Sequence, residues 1–169
     1  NEHVFSVARI SQFLVDSQSD QNDLEVAIVA AVRALGFVAT HIGGAGEPDG
    51  VGRFVDYPSG EKKITLESKA STATPTLAQL DFAGLAEHMR RYGAQGCLLV
   101  APSYPGSTRE GDSAVAQRAK EQHVSCWTVD QLATLVSMVE CRQIGAPQVL
   151  DVVLNHFAPD DVEPAVQGL

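Results

Sequence analysis

Three side chains in this sequence have the types and spacing to hydrolyse a phosphodiester: Asp49, Glu67 and Lys69. Asp49 sits in the turn-forming run Glu47-Pro48-Asp49-Gly50, and Glu67-Ser68-Lys69 lies in an alternating apolar–polar stretch. Alternation along a strand puts Glu67 and Lys69 on one face and Ser68 on the other, so Ser68 reads as structural. Pro58-Ser59-Gly60 is a turn whose middle residue, Ser59, lies ten residues after Asp49 and eight before Glu67. Antiparallel pairing about that turn brings Asp49 within a residue or two of facing Glu67. Two carboxylates at one strand end suit a hard divalent cation, because Mg²⁺ takes one or two protein carboxylates and keeps open positions for phosphate oxygens. Mn²⁺ has the same oxygen preference and is expected to substitute. Lys69 can hold the attacking water or stabilise the charge that builds on phosphorus. Glu-x-Lys alone is a weak signal, and its weight comes from the joint pattern.

The elements that must position these groups follow from periodicity and punctuation. Val4 to Val15 reads as a helix and Asp16 to Asn22 as a loop. Asn22 or Asp23 caps a helix to Leu35 that Gly36 stops. Strands are expected at Phe37 to Ile42, Val51 to Tyr57 and Lys63 to Ala70. Pro75 opens a helix that runs to about Tyr92. Cys97-Leu98-Leu99-Val100-Ala101 is an unbroken apolar run, the pattern of a strand buried on both faces. A loop from Pro102 to Gly111, a helix from Ser113 to Gln122 and a strand from Val124 to Val129 follow. Asp130 caps a helix to about Ile144, Pro147 begins another, and the acidic tail after Ala158 is expected to fray. Hairpin strands followed by alternating helices and strands give the α/β class, a mixed central sheet flanked by helices.

Composition bounds the function. The chain has 169 residues, of which 44% are apolar and 20% charged, the makeup of a globular domain. Its formal net charge of −9, from 12 basic and 21 acidic side chains, excludes a free-standing nucleic-acid binder. The charge is uneven: residues 62–120 hold eight basic and five acidic side chains, whereas both flanking segments are acidic. Part of the acidic excess is the site itself, which a bound cation would offset. The three cysteines are widely spaced and form no disulfide framework, which fits a reducing cytoplasm. The five histidines show no zinc spacing, and no apolar run is long enough to span a bilayer. Gly43-Gly44-Ala45-Gly46 lacks the spacing of a dinucleotide fingerprint and reads as a flexible approach to the site.

Pro48-Asp49, a hairpin, then Glu67-Ser68-Lys69, with a helix before and a helix and strand after, resembles the PD-(D/E)xK nuclease superfamily and its αβββαβ core. Within it, the Pro-Asp-Gly turn, Glu-Ser-Lys-Ala and a helix ending in Arg91-Tyr92 resemble the FokI-like cleavage domains of type IIS restriction endonucleases. The resemblance covers about residues 22 to 130. It departs at Glu67, where FokI carries Asp; the superfamily pattern admits either. The resemblance implies Asp49 and Glu67 as metal ligands and Lys69 as the catalytic lysine. It also implies a Mg²⁺-dependent endonuclease that cuts double-stranded DNA without reading its sequence, as part of a type IIS or modification-dependent restriction enzyme. Residues 22–158 would be the nuclease domain, 1–21 a lead-in helix and linker from an upstream recognition domain, and 159–169 an acidic tail.

Further candidates surround this set. Glu25, in the first turn of the helix before the hairpin, matches a place where some superfamily members add a metal ligand. Gln79, His41, Arg53, Arg90 and Arg91 are candidate DNA or supporting contacts. One site cuts one strand, so duplex cleavage calls for a homodimer. The amphipathic segments Gln131 to Arg142 and Gln148 to Phe157 are candidates for that interface or for the core. An Mrr-like nuclease, a Holliday-junction resolvase, or a catalytically inactive nuclease-fold module for nucleic-acid binding or assembly are the alternatives.

Overall fold

The hairpin that carries the candidate site forms for local reasons. Strand β2 (Gly50–Asp56) and strand β3 (Gly60–Ser68) pair antiparallel from Gly50↔Leu66 to Asp56↔Gly60. Ser59 Oγ donates to Asp56 Oδ2 at 2.6 Å across the turn, and Gly60 takes φ +91°. Strand β1 (Val38–His41) adds antiparallel to β2, with His41↔Gly50. Gly50 allows that close approach: a Cβ there would lie 2.8 Å from the Thr40 carbonyl oxygen and 3.0 Å from Val29 Cγ2. Strands β4 (Gly96–Ala101) and β5 (Val124–Thr128) extend the sheet in parallel, giving the order β1-β2-β3-β4-β5. This is the expected mixed α/β sheet, described here in a computed structural model for residues 6–106 and 113–169. The start of the first expected helix and the end of the Pro102 to Gly111 loop lie outside the described residues.

Period-2 alternation sorts the sheet's side chains into two apolar layers. Ile64, Leu66, Leu98, Val100 and Trp127 face helices α1 (Val7–Asp16), α2 (Gln21–Ala34) and, later in the chain, α6 (Val129–Ser137) and α8 (Ala146–Asn155). Cys97, Leu99, Ala101, Val124 and Cys126 face α3 (Leu77–Leu80), α4 (Phe82–Tyr92) and α5 (Ala114–Gln122). Every residue of β4 is buried, as its unbroken apolar run requires. Glu67 and Thr65 pair with Leu99 and Cys97 on the face covered by α4, and Glu67 meets His88 of that helix.

Several boundaries differ from expectation. The helix expected from Pro75 to Tyr92 is two helices. Thr76 and Gln79 close a capping box on α3, and Asp81 turns left-handed (φ 51°) while its side chain accepts from Gly84 N–H to start α4. Helix α2 is capped by Asp20, which accepts from Asp23 N–H, two or three residues before the expected Asn22 or Asp23. The helix expected from Asp130 begins instead after Thr128, whose capping box with Gln131 sets the start, and breaks into α6 and α7 (Val139–Arg142). Helix α1 packs into the main core: Ile10 and Leu14 are buried there, and Ser11 Oγ donates to the Ala133 carbonyl at 2.7 Å. The tail does not fray. It forms α9 (Pro159–Gln167), started by Pro159 and anchored by buried Val162 and Val166, an i, i+4 pair on one face.

Candidate functional site

The ladder carries the polar residues to one margin of the sheet. Gly50 pairs with Leu66, so one step further puts Asp49 beside Glu67. On the other side Glu67 pairs with Leu99, and Lys69 N–H donates to the Val100 carbonyl at 3.0 Å, which continues the β3–β4 ladder as far as the lysine. Asp49, Glu67 and Lys69 therefore gather at the adjacent ends of β2 and β3, where the sheet changes from antiparallel to parallel pairing.

Each carboxylate is held by one oxygen. Asp49 Oδ2 accepts from Ser68 N–H at 2.5 Å and from Ser68 Oγ at 2.6 Å. This corrects the reading of Ser68 as pointing away from the site. Its side chain does leave the Glu67 face, yet Asp49 lies just beyond the end of β2 and reaches around to it. Ser68 Oγ in turn accepts from Gln21 Nε2 at 2.8 Å, and Gln21 also accepts from Ala70 N–H, which ties the first turn of α2 to the end of β3. Glu67 Oε1 lies 2.6 Å from His88 Nδ1, in a pair whose side chains are 5% and 16% exposed. No hydrogen bond among the described residues engages Asp49 Oδ1 or Glu67 Oε2.

Burial and mutual repulsion set the electrostatics. Asp49 is pushed above the usual carboxylate range, first by desolvation and then by the Glu25 charge, against the Ser68 bonds and the Lys69 ammonium. Glu67 is pushed up to about 7, first by desolvation, with the neighbouring Asp49 charge adding to it; His88 and Lys69 oppose the rise. Two crowded, buried carboxylates, each with an oxygen to spare, are the donor set a hard dication satisfies. Among the described residues no three His, Cys, Asp or Glu side chains converge on one point, so a cation here would rest on Asp49 and Glu67 and complete its shell with oxygens from water and phosphate.

The other candidates fall into two groups. Glu25 is close enough to raise Asp49, and its oxygens are bridged to Gln21 Nε2 (3.1 Å) and His41 Nε2 (3.2 Å), which places Glu25 and His41 together at the rim. Arg91 also approaches: it pairs with Glu47 at 3.3 Å and donates to the Gly46 carbonyl, while Tyr92 Oη donates to Glu47 Oε2 at 2.6 Å. The loop leading into Asp49 is thereby clasped to the end of α4. The remaining three are engaged elsewhere. Gln79 accepts from Thr76 N–H at 2.8 Å to cap α3, Arg90 forms an exposed pair with Glu87, and Arg53 reaches Glu61 at 3.9 Å. His88 was missed in the sequence. It stands one turn after Leu85, which is buried, and the seating of α4 on the sheet is what brings it to Glu67.

A mixed sheet with this hairpin and flanking helices is a restriction-endonuclease-like fold. Among solved structures the chain is similar to the restriction endonuclease FokI, with a TM-score of 0.61 at 14% identity over 86% of this chain and 29% of that one. It is likewise similar to FokI bound to DNA, with a TM-score of 0.59 at 14% identity over 85% of this chain and 28% of that one. The chain spans less than a third of the length of either. No family profile matches the sequence, and no curated protein matches it. At this identity the likeness is one of fold. Among the described residues no helix is long and apolar enough to cross a membrane.

Proposed function

We propose that this chain is a metal-dependent endonuclease domain that hydrolyses phosphodiesters in double-stranded DNA. The observation that carries the reading is the placement of Asp49 beside Glu67 at paired strand ends, with the Lys69 ammonium near enough to lower both carboxylates, on a FokI-like fold. Asp49 and Glu67 would hold Mg²⁺, or Mn²⁺ in its place, through Oδ1 and Oε2. A divalent cation bound there supplies charge neutralisation at the phosphate and lowers the pKa of its water. Lys69 orients the attacking water and offsets the negative charge that grows on the phosphoryl oxygens. The water oxygen forms the new bond to phosphorus, the bond from phosphorus to one sugar oxygen breaks, and that oxygen takes up a proton. Glu25 lies at the rim, where it would add negative charge to the metal side of the site.

The finer reading is a cleavage module of a type IIS or modification-dependent restriction enzyme. It would be brought to its target by a recognition domain and paired with a second copy for double-strand cuts. The net charge of −9 supports this, because a domain so acidic binds DNA weakly by itself. The test is cleavage of supercoiled plasmid with Mg²⁺ or Mn²⁺. The wild-type chain nicks or linearises it, and Asp49→Ala, Glu67→Ala and Lys69→Ala each lose the activity while keeping the wild-type circular dichroism. Undiminished cleavage by the folded Lys69→Ala protein would overturn the assignment.

A further inference from the structure

We infer that His88 is a positioning residue: it fixes the Glu67 carboxylate so that Oε2 faces the cation. The inference rests on the function proposed above and adds to it a residue outside the Asp49, Glu67 and Lys69 set. Glu67 has a longer and looser side chain than Asp49, with one more rotatable bond between backbone and carboxylate. Asp49 is pinned twice by Ser68, from backbone and from side chain. Glu67 receives no backbone donor among the described residues, and its one partner is His88 Nδ1 at 2.6 Å. Both side chains are largely buried, so water competes poorly for that bond. With Glu67 ionised, Nδ1–H donates to Oε1 and leaves Oε2 as the oxygen available to a metal. An outer partner of this kind orients a ligand and sets its basicity.

The position of His88 on α4 suits the task. Phe82 and Leu85 are buried and Met89 packs with them against the sheet, so the helix is seated firmly on the face from which Glu67 projects. At its far end Arg91 and Tyr92 hold Glu47, in the loop that leads to Asp49. One helix thus braces both carboxylates, through His88 directly and through Glu47 indirectly.

The test compares His88→Ala, His88→Asn and His88→Gln in the full chain. Asn places an N–H where Nδ1 sits, and Gln places one nearer the Nε2 position. Binding of Mn²⁺ alone is followed by electron paramagnetic resonance, with steady-state cleavage as a second measure. His88→Ala is expected to weaken Mn²⁺ binding on the order of 10- to 100-fold and to lower kcat with little change in KM for DNA. His88→Asn should recover most of the binding and His88→Gln little of it. If His88→Ala does not fold, the Asn and Gln variants decide the matter by the same comparison. Wild-type Mn²⁺ binding in folded His88→Ala overturns the inference and leaves the nuclease reading standing, as does equal damage in folded Asn and Gln variants. A wild-type chain that binds no Mn²⁺ and cuts no DNA overturns both.

Discussion

Replacing Glu67 by Gln should make the cation-free protein more stable at alkaline pH, although the substitution removes a proposed ligand. The ordinary glutamate value is 4.5, and in the folded chain Glu67 is held near 7 by burial and by Asp49. A folded-state pKa above the unfolded one means that the unfolded chain gives up the proton first as pH rises. Stability is therefore full below about 4.5, falls through the interval up to about 7, and stays low above it. Linkage between those two values gives a loss of about 2.5 kcal/mol between about pH 5 and pH 8. Asp49 shifts in the same direction and adds to the loss. Glu67→Gln keeps the shape and an oxygen for His88 but carries no charge, so this part of the pH dependence should vanish. The assay is urea unfolding in the presence of a chelator across that pH range, with wild type and variant compared at each point. Millimolar Mg²⁺ should restore the wild type at high pH, because a ligand that binds only the folded state stabilises it, and should do little for the variant. Parallel pH profiles for the two proteins would refute the claim that Glu67 is buried beside a second carboxylate.

Two further outcomes follow from the same geometry. Ser68→Ala removes one of two bonds to Asp49 Oδ2 and one of the acceptors for Gln21. It should cost about 1–2 kcal/mol in urea unfolding and lower cleavage, whereas Ser68→Thr, which keeps the hydroxyl, should retain more of both. Gly50→Ala brings a methyl group into the Thr40 carbonyl and Val29, so β1 must move away from β2; the expected cost is about 1–3 kcal/mol in thermal or urea unfolding, and unchanged stability would refute the tight β1–β2 approach.

The hairpin and its carboxylates could be read from sequence because their geometry is local. A turn plus strict two-residue alternation fixes which residues face each other, and β2–β3 pairing places Asp49 next to Glu67 as that arithmetic requires. The buried run at Cys97 to Ala101 was legible for a similar reason. His88 was not, because a single polar residue on an amphipathic helix acquires meaning only when the helix's seat on the sheet is known. The break at Asp81 was hidden too, since a non-glycine residue in the left-handed region leaves no mark in hydrophobic periodicity. At the C-terminus the acidic residues masked the pair Val162 and Val166, which dock α9 against the core. Ser68 was misjudged because alternation describes positions within a strand, whereas Asp49 lies just outside one.

The bracing by α4 has a consequence for how the site comes into being. Asp49 and Glu67 meet as soon as the hairpin closes, because the β2–β3 ladder runs up to them. The hydrogen bonds from His88, Arg91 and Tyr92 reach back across 21 to 45 residues and form only when α4 has settled on the sheet. The two contacts to Glu47 close the longer loops and carry the larger loop-closure cost, whereas the His88 contact waits on the seating of its helix. A nascent or partly opened chain can therefore hold both carboxylates close together with neither the Glu67 oxygen aimed nor the Asp49 loop clasped. The proposed centre is completed by the arrival of a helix, and until then the hairpin is an acidic turn with a loose glutamate.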